Sequence, residues 1–280
     1  MAGGLKTPDQ LSELHTLCQH GINRLNRSRF VGFVFDYDGT LCDPQARFEP
    51  LSTEIADGLN RLLQQGALIG IATGRGGSAA ERIRGAIREE FWDNVLFGFY
   101  NGAVICSSKD GPPPSTDPSA EILTLEGTLR SSQHFSSCKF RSNRNQIAIS
   151  LPSLEEPVVS VRAATAIVED AGVAATVSCS SHSIDITFGN TCKTAVVDAI
   201  RHRIGAAYNA PVLRMGDKGR WPGNDVELLY DPYGLSVDEV SPSTKNCWGF
   251  SPRGILGVQA TLFYLDRLNW RLGEGFIKLD

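Results

Sequence analysis

The chain has 280 residues, enough for one large domain or for two, with a core that needs no covalent staples. Hydrophobic residues at 41% and charged residues at 21% are ordinary for a soluble globular protein, and 27 Lys+Arg against 31 Asp+Glu exclude the basic surface that holds a nucleic-acid backbone. No apolar run approaches the roughly 20 residues that span a bilayer, and the opening stretch lacks the basic-then-apolar order of a secretory leader, so the expected partners include neither nucleic acid nor membrane and the expected compartment is the cytoplasm. Seven scattered cysteines without a C-x-x-C pair suit reduced thiols rather than a disulfide framework or a zinc site.

In chain order, residues 9–26 place Leu11, Leu14, Leu17, Cys18, Ile22 and Leu25 at helical spacing, which predicts an amphipathic helix packed against the domain that follows. "FVGFVFD" at 30–36 is an almost unbroken apolar run, as for a parallel strand covered on both faces. A helix over 52–65 with Ser52 as N-cap, a strand at 67–72, a helix at 78–90 and a strand at 95–100 continue an alternation that gives right-handed crossovers. The Pro-, Ser- and Gly-rich stretch 107–119 reads as a linker or exposed loop. Alternating runs at 146–151, 173–179 and 183–188 with a helix at 158–171 describe a small antiparallel α+β insert. A helix over 192–205, a strand at 211–215 and a helix at 254–268 then resume the first pattern. The expected fold class is α/β: a doubly wound parallel, Rossmann-like sheet domain (30–106 and 189–280) enclosing an inserted α+β domain (107–188), with a helical extension over 1–29.

The chemistry gathers at the carboxyl ends of these strands, where open α/β sheets bind ligands. Asp36 and Asp38 in "FDYDGTL" end the first strand; two carboxylates this close invite a neutralising cation, and the same residues also suit a plain turn, so the pair alone decides nothing. Thr73 and Gly74 in "IATGR" end the second strand, where a hydroxyl and free amides at a helix start can hold phosphate oxygens. Lys193 begins a helix after the insert, and Asp217 follows the strand at 211–215. Each has a bland reading by itself, as a cap, a solvated charge or a turn.

In the order DxDGT, T-G-R, Lys and GD…ND, these groups resemble the haloacid dehalogenase-like (HAD) superfamily of phosphohydrolases. The resemblance covers nearly the whole chain after residue 30. With the insert between the second and third motifs, it points to the type IIB members with a C2-type cap, similar to the Cof, sucrose-phosphate phosphatase and trehalose-phosphate phosphatase relatives. It implies Asp36 as nucleophile, forming an aspartyl-phosphate, and Asp38 as general acid and base. It further implies Mg²⁺ held by Asp36, the Asp38 carbonyl and Asp217, with Asn224 and Asp225 supporting the metal, while Thr73, Gly74 and Lys193 hold the phosphoryl oxygens. The second Asp of the pair goes with phosphatases and phosphomutases; a mutase and a non-catalytic binding protein of the same fold are the alternatives.

A different class is weighed against these. Gly74-x-Gly76-x-x-Ala79 matches a dinucleotide fingerprint, but it follows the second strand, and the next strand ends in Tyr100 and Asn101 rather than in an acid. In the insert, Ile147, Ile149, Leu151, Val173, Ala175, Val177, Ile184, Ile186 and Phe188 form one apolar face, leaving Gln146, Ser150, Thr176, Ser178, Asp185 and Thr187 on the other. As a roof over the site, that polar face suits a sugar or polyol phosphate, a small phosphorylated metabolite; as a merely solvated face it says nothing. Asn101, Arg75, Arg141, Arg144 and Asp185 are the candidate substrate contacts, and His134 and His182 are further cap candidates. In the relatives two residues usually separate the Gly-Asp and Asn-Asp pairs; here Lys218 to Gly223 intervene, and the extra length is expected to bulge outwards.

Overall fold

The computed structural model describes residues 7–111, 116–151, 157–189 and 191–280. In chain order the elements are α1 (Pro8–Arg27), β1 (Phe33–Asp36), α2 (Thr53–Gln64), β2 (Ile69–Ala72), α3 (Gly77–Ala86), β3 (Val95–Phe99) and β4 (Val104–Ser107). Next come α4 (Ala120–Ser131), β5 (Lys139–Ser142), β6 (Gln146–Ser150), α5 (Pro157–Asp170), β7 (Ala175–Cys179) and β8 (Ile184–Phe188). The chain closes with α6 (Ala195–Arg203), β9 (Leu213–Lys218), α7 (Val226–Leu229), β10 (Gly234–Glu239), α8 (Gly257–Leu265), β11 (Leu268–Arg271) and β12 (Glu274–Ile277).

The main sheet has the order β10-β9-β1-β2-β3-β4, parallel except for β4 at the edge. Its central strands are buried at every residue, which is why they read as continuous apolar runs. One face packs Phe33, Phe35, Ile69 and Ile71 with α2, α3 and α8; the other packs Val34 and Ala72 under Val196, Val197 and Ile200 of α6. The class is therefore the expected α/β one, with a mainly parallel central sheet and an additional antiparallel sheet domain of order β5-β6-β8-β7. A second apolar core joins α4 and α5 to the inner face of that sheet; it contains Ile147, Ile149, Ile184 and Ile186 fully buried, with Leu151, Val173, Ala175, Val177 and Phe188 partly so.

Several boundaries differ from the sequence reading, for identifiable reasons. The strand expected to stop at 215 runs on to Lys218, because β10 pairs alongside it as far as Glu239, so Asp217 lies within β9. The helix expected at 254–268 ends at Leu265, and the chain turns back as the hairpin β11–β12, with Leu272 and Gly273 at positive φ in its tip. Within 107–119, residues 112–115 lie outside the described residues, and the stretch preceding them is β4 and its turn. The N-terminal helix carries a capping box at Thr7 and Gln10, and Asn26 near its end exchanges two hydrogen bonds with the backbone of Leu279. No two cysteines among the described residues are bonded to each other, and no described helix is long and apolar enough to cross a membrane.

Candidate active site

β1, β2, β9 and the segment before α6 deliver their terminal side chains to one edge of the main sheet. Asp36 ends β1 and Asp217 lies near the end of β9, its immediate neighbour. Asp225 returns just before α7, and the three carboxylates lie within 4.8 Å of one another, all buried. Two glycines permit this crowding: a Cβ at Gly39 would meet Asp217 Cγ at 2.6 Å, and one at Gly216 would meet Asp225 Cγ at 2.7 Å.

Lys193, only 1% exposed, inserts between two of the carboxylates; its Nζ donates to Asp36 Oδ1 at 2.6 Å and to Asp225 Oδ1 at 2.7 Å. Burial alone would lower the Lys193 pKa, but the Asp225 and Asp36 charges outweigh it and hold the ammonium firmly protonated. The second Asp225 oxygen accepts from the backbone amides of Asp217 and Lys218, both at 3.1 Å. Asp225 therefore clamps the lysine and the end of β9 together. Burial, then the Asp225 charge, raises Asp36 to about 7, and burial with Asp36 and Asp225 raises Asp217 to about 10.

This donor set fits a hard divalent cation. Asp36 Oδ2 is buried without a hydrogen-bond partner, and the cluster holds three carboxylates against one ammonium, a combination that another positive charge relieves.

Asp38 points along the other wall, where Arg75 Nη1 donates to it at 3.3 Å; the same guanidinium is anchored on the Arg47 carbonyl at 2.8 Å and on Ser78 Oγ at 3.1 Å. Thr73 is fully buried and its hydroxyl accepts from the amide of Arg75, so it shapes the turn into α3 and brings Gly74 to the cavity wall. Asn101 is held with positive φ, donates to Thr187 Oγ1 at 3.3 Å, and leaves its own carbonyl oxygen buried and unpaired. Asp185 of β8 sits across from Gly74 and Asn101, bridging the two sheets. Burial raises its pKa to about 6, against the opposing hydrogen bonds of Ser183 and Gln146.

Above these groups is a cavity of about 550 Å³. Asp36, Asp38, Gly74, Arg75, Asp217 and Asn224 line its floor, while Arg141, Gln146, Ser150, His182 and Asp185 line its roof. Arg144 is exposed in the β5–β6 turn and Lys193, Thr73, Asn101 and Asp225 are buried beneath or beside the cavity rather than in its wall. Thr176 and Ser178, on the outer strand β7, do not reach the cavity, and His134 bonds Ser160 inside the small domain. Lining residues that the sequence reading missed include Arg47, Phe48, Glu81, Asn143 and the serines at 180, 181 and 183. The run "SCSSHS" was a usable signal, since it forms the polar tip between two alternating strands; Arg47 and Phe48 had none.

Residues 33–118 match the family model of the haloacid dehalogenase-like hydrolases. The chain has the haloacid dehalogenase-like hydrolase fold. A HAD/COF-like hydrolase of Plasmodium vivax is similar in structure with a TM-score of 0.64 at 16% identity, covering 88% of this chain and 98% of that one. IMP-bound IMP-nucleotidase of Plasmodium falciparum, truncated at its N-terminus, gives 0.60 at 13% identity over 85% of this chain and 72% of its own. No curated protein matches by sequence. At these identities the likeness concerns the fold, and the HAD-like segment that the family model covers contains Asp36, Asp38 and Thr73 but neither Lys193 nor Asp217.

Proposed function

We propose that this HAD-like chain is a Mg²⁺-dependent phosphomonoester hydrolase that works through an aspartyl-phosphate on Asp36 and acts on a small phosphorylated metabolite, a sugar or polyol phosphate. The observation that carries the reading is the Lys193 ammonium buried between Asp36 and Asp225, with Asp217 beside them, under a polar cavity at the sheet edge. Asp36, Asp217 and the flank of Asn224 would hold the cation, which supplies charge neutralisation and orientation of the phosphoryl group when bound.

In this reading an Asp36 oxygen attacks phosphorus in line and the bond to the leaving oxygen breaks, while Asp38 donates the proton that the leaving oxygen takes up. Water then attacks the phosphorus of the acyl phosphate as Asp38 takes its proton, which frees Asp36 and phosphate. Arg75, anchored on the Arg47 carbonyl and Ser78 Oγ, fixes the Asp38 carboxylate, and Lys193 meets the charge on the transferred group as it spreads over the phosphoryl oxygens. The roof of serine, glutamine and carboxylate groups supports a leaving group rich in hydroxyls rather than an apolar one.

The test is phosphate release from a panel of sugar phosphates, polyol phosphates and IMP with Mg²⁺, without any bisphosphate activator, beside Asp36→Asn and an EDTA control. Hydrolysis by the wild type alone is expected. Equal turnover by the variant would remove the aspartyl-phosphate, and a requirement for a bisphosphate would favour the mutase alternative.

A further inference from the structure

The six residues between the Gly-Asp and Asn-Asp pairs leave Arg220 and Trp221 exposed, as an outward bulge would, but are not free in solvent. They reach the antiparallel sheet. β7 is an edge strand, and an edge leaves backbone groups without a ladder partner. At its last residue, Cys179, the amide donates to the Pro222 carbonyl at 2.8 Å and the carbonyl accepts from the Asn224 amide at 3.1 Å, so Gly223 pairs with Cys179 as a short parallel bridge. Trp221, half exposed, lies beside α5 and β7 with the Arg162 guanidinium 5.6 Å from its ring centre. The other limb of the segment is fixed to β10, where the Gly219 amide donates to the Glu239 carbonyl at 3.0 Å and Lys218 pairs with the Glu239 carboxylate.

Both ends of the segment are therefore held at the floor of the cavity, by Asp217 on one side and by Asn224 on the other, with Asp225 beneath. Its second limb is held by Cys179 through Pro222 and Asn224, and the residues after Cys179 are the turn 180–183, which lines the roof. We infer that residues 219–223 form a strap that fixes the 180–183 turn over the site, with Trp221 as a positioning residue that sets how tightly the leaving group is held. A strap of this kind makes the roof preformed, so ordering of the small domain is not charged against substrate binding. The kinetic part of this inference rests on the phosphohydrolase reading; the structural part does not.

The experiment uses the full chain in three forms: deletion of residues 219–222, which leaves Asp217, Asn224 and Asp225 intact, Trp221→Ala, and Trp221→Phe. Hydrogen exchange of the peptide spanning 176–184 is measured first, with no substrate. Exchange roughly tenfold faster in the deletion, an intermediate rise in Trp221→Ala and restoration in Trp221→Phe are expected. Kinetics are then compared for glucose 6-phosphate, whose sugar is large enough to reach the roof, and acetyl phosphate, whose leaving group is too small to need it. KM for glucose 6-phosphate should rise several-fold in Trp221→Ala with kcat within about twofold, while acetyl phosphate turnover stays level. Unchanged exchange in Trp221→Ala and in the folded deletion overturns the strap, and faster exchange with unaltered KM overturns the positioning role. If the wild type hydrolyses neither these two esters nor any of the panel above, the phosphohydrolase reading fails and the exchange result alone decides the strap.

Discussion

Asp217 shows how a single residue trades stability for chemistry. Its carboxyl is raised to about 10 by burial and by the Asp36 and Asp225 charges, so the ionised form is disfavoured in the folded chain relative to the unfolded one, where 3.8 is the ordinary value. Without a divalent cation, that group makes folding less favourable as pH rises from about 4 to about 10. Asp217→Asn removes the penalty and, in the proposed reading, a metal ligand with it. In EDTA the variant is expected to melt at least as high as the wild type, and on adding Mg²⁺ only the wild type should gain melting temperature and phosphate release. A variant that still gains as much from Mg²⁺ would take Asp217 out of the metal site.

Asp185 obeys the same sign at the roof. Its folded value of about 6 stands above 3.8, so the folded chain retains a proton that the unfolded chain has released, and the stability is fully present below the lower value and lost as pH climbs to the upper one. The gap of roughly two units amounts to about 3 kcal/mol for this buried group. Urea midpoints between pH 4 and 8 should fall less steeply for Asp185→Asn than for the wild type. Identical slopes would show that Asp185 is solvated in solution.

At the scale of elements, what was legible in the sequence was what is encoded locally. The strands β1, β2 and β3 announce themselves as apolar runs because both of their faces are covered, and Asp36 and Thr73 were placed because each sits at the end of such a run, while Asp217 lies inside β9 just past its apolar start. The pattern fails where a strand needs a partner to exist. β4 and β5 are short edge strands of mixed character, and β10 buries its apolar Leu235 and Val237 only because it pairs with β9. Helix α4 had a readable face in Ile122, Leu125 and Leu129 behind the Ser119 cap, but it was hidden by the Pro-rich stretch before it. The bridge from Gly223 to Cys179 joins segments far apart in the chain, and no spacing rule within "GDKGRWPGND" indicates it.

At the scale of the whole molecule, the site and the N-terminal helix occupy opposite ends of the main sheet. The cavity lies beyond the carboxyl end of β1, after Asp36, whereas the amino end is closed by Phe30 bridging to Gly275 of β12 and by α1 lying against that hairpin. Leu25 on α1 is completely buried in the large core, and Asn26 beside it ties the helix to Leu279. Truncating a buried leucine of this kind to alanine costs about 2–5 kcal/mol through lost transfer energy and the cavity left behind. The β1 ladder to β2 and β9 separates Leu25 from Asp36, Lys193 and residues 219–223. Leu25→Ala should therefore lower the unfolding free energy obtained from urea titration by that amount while KM and kcat for p-nitrophenyl phosphate, measured well below the transition, stay within about twofold of the wild type. A matching loss in kcat would mean that the packing at the amino end of the sheet sets the geometry of the carboxylate cluster at the other.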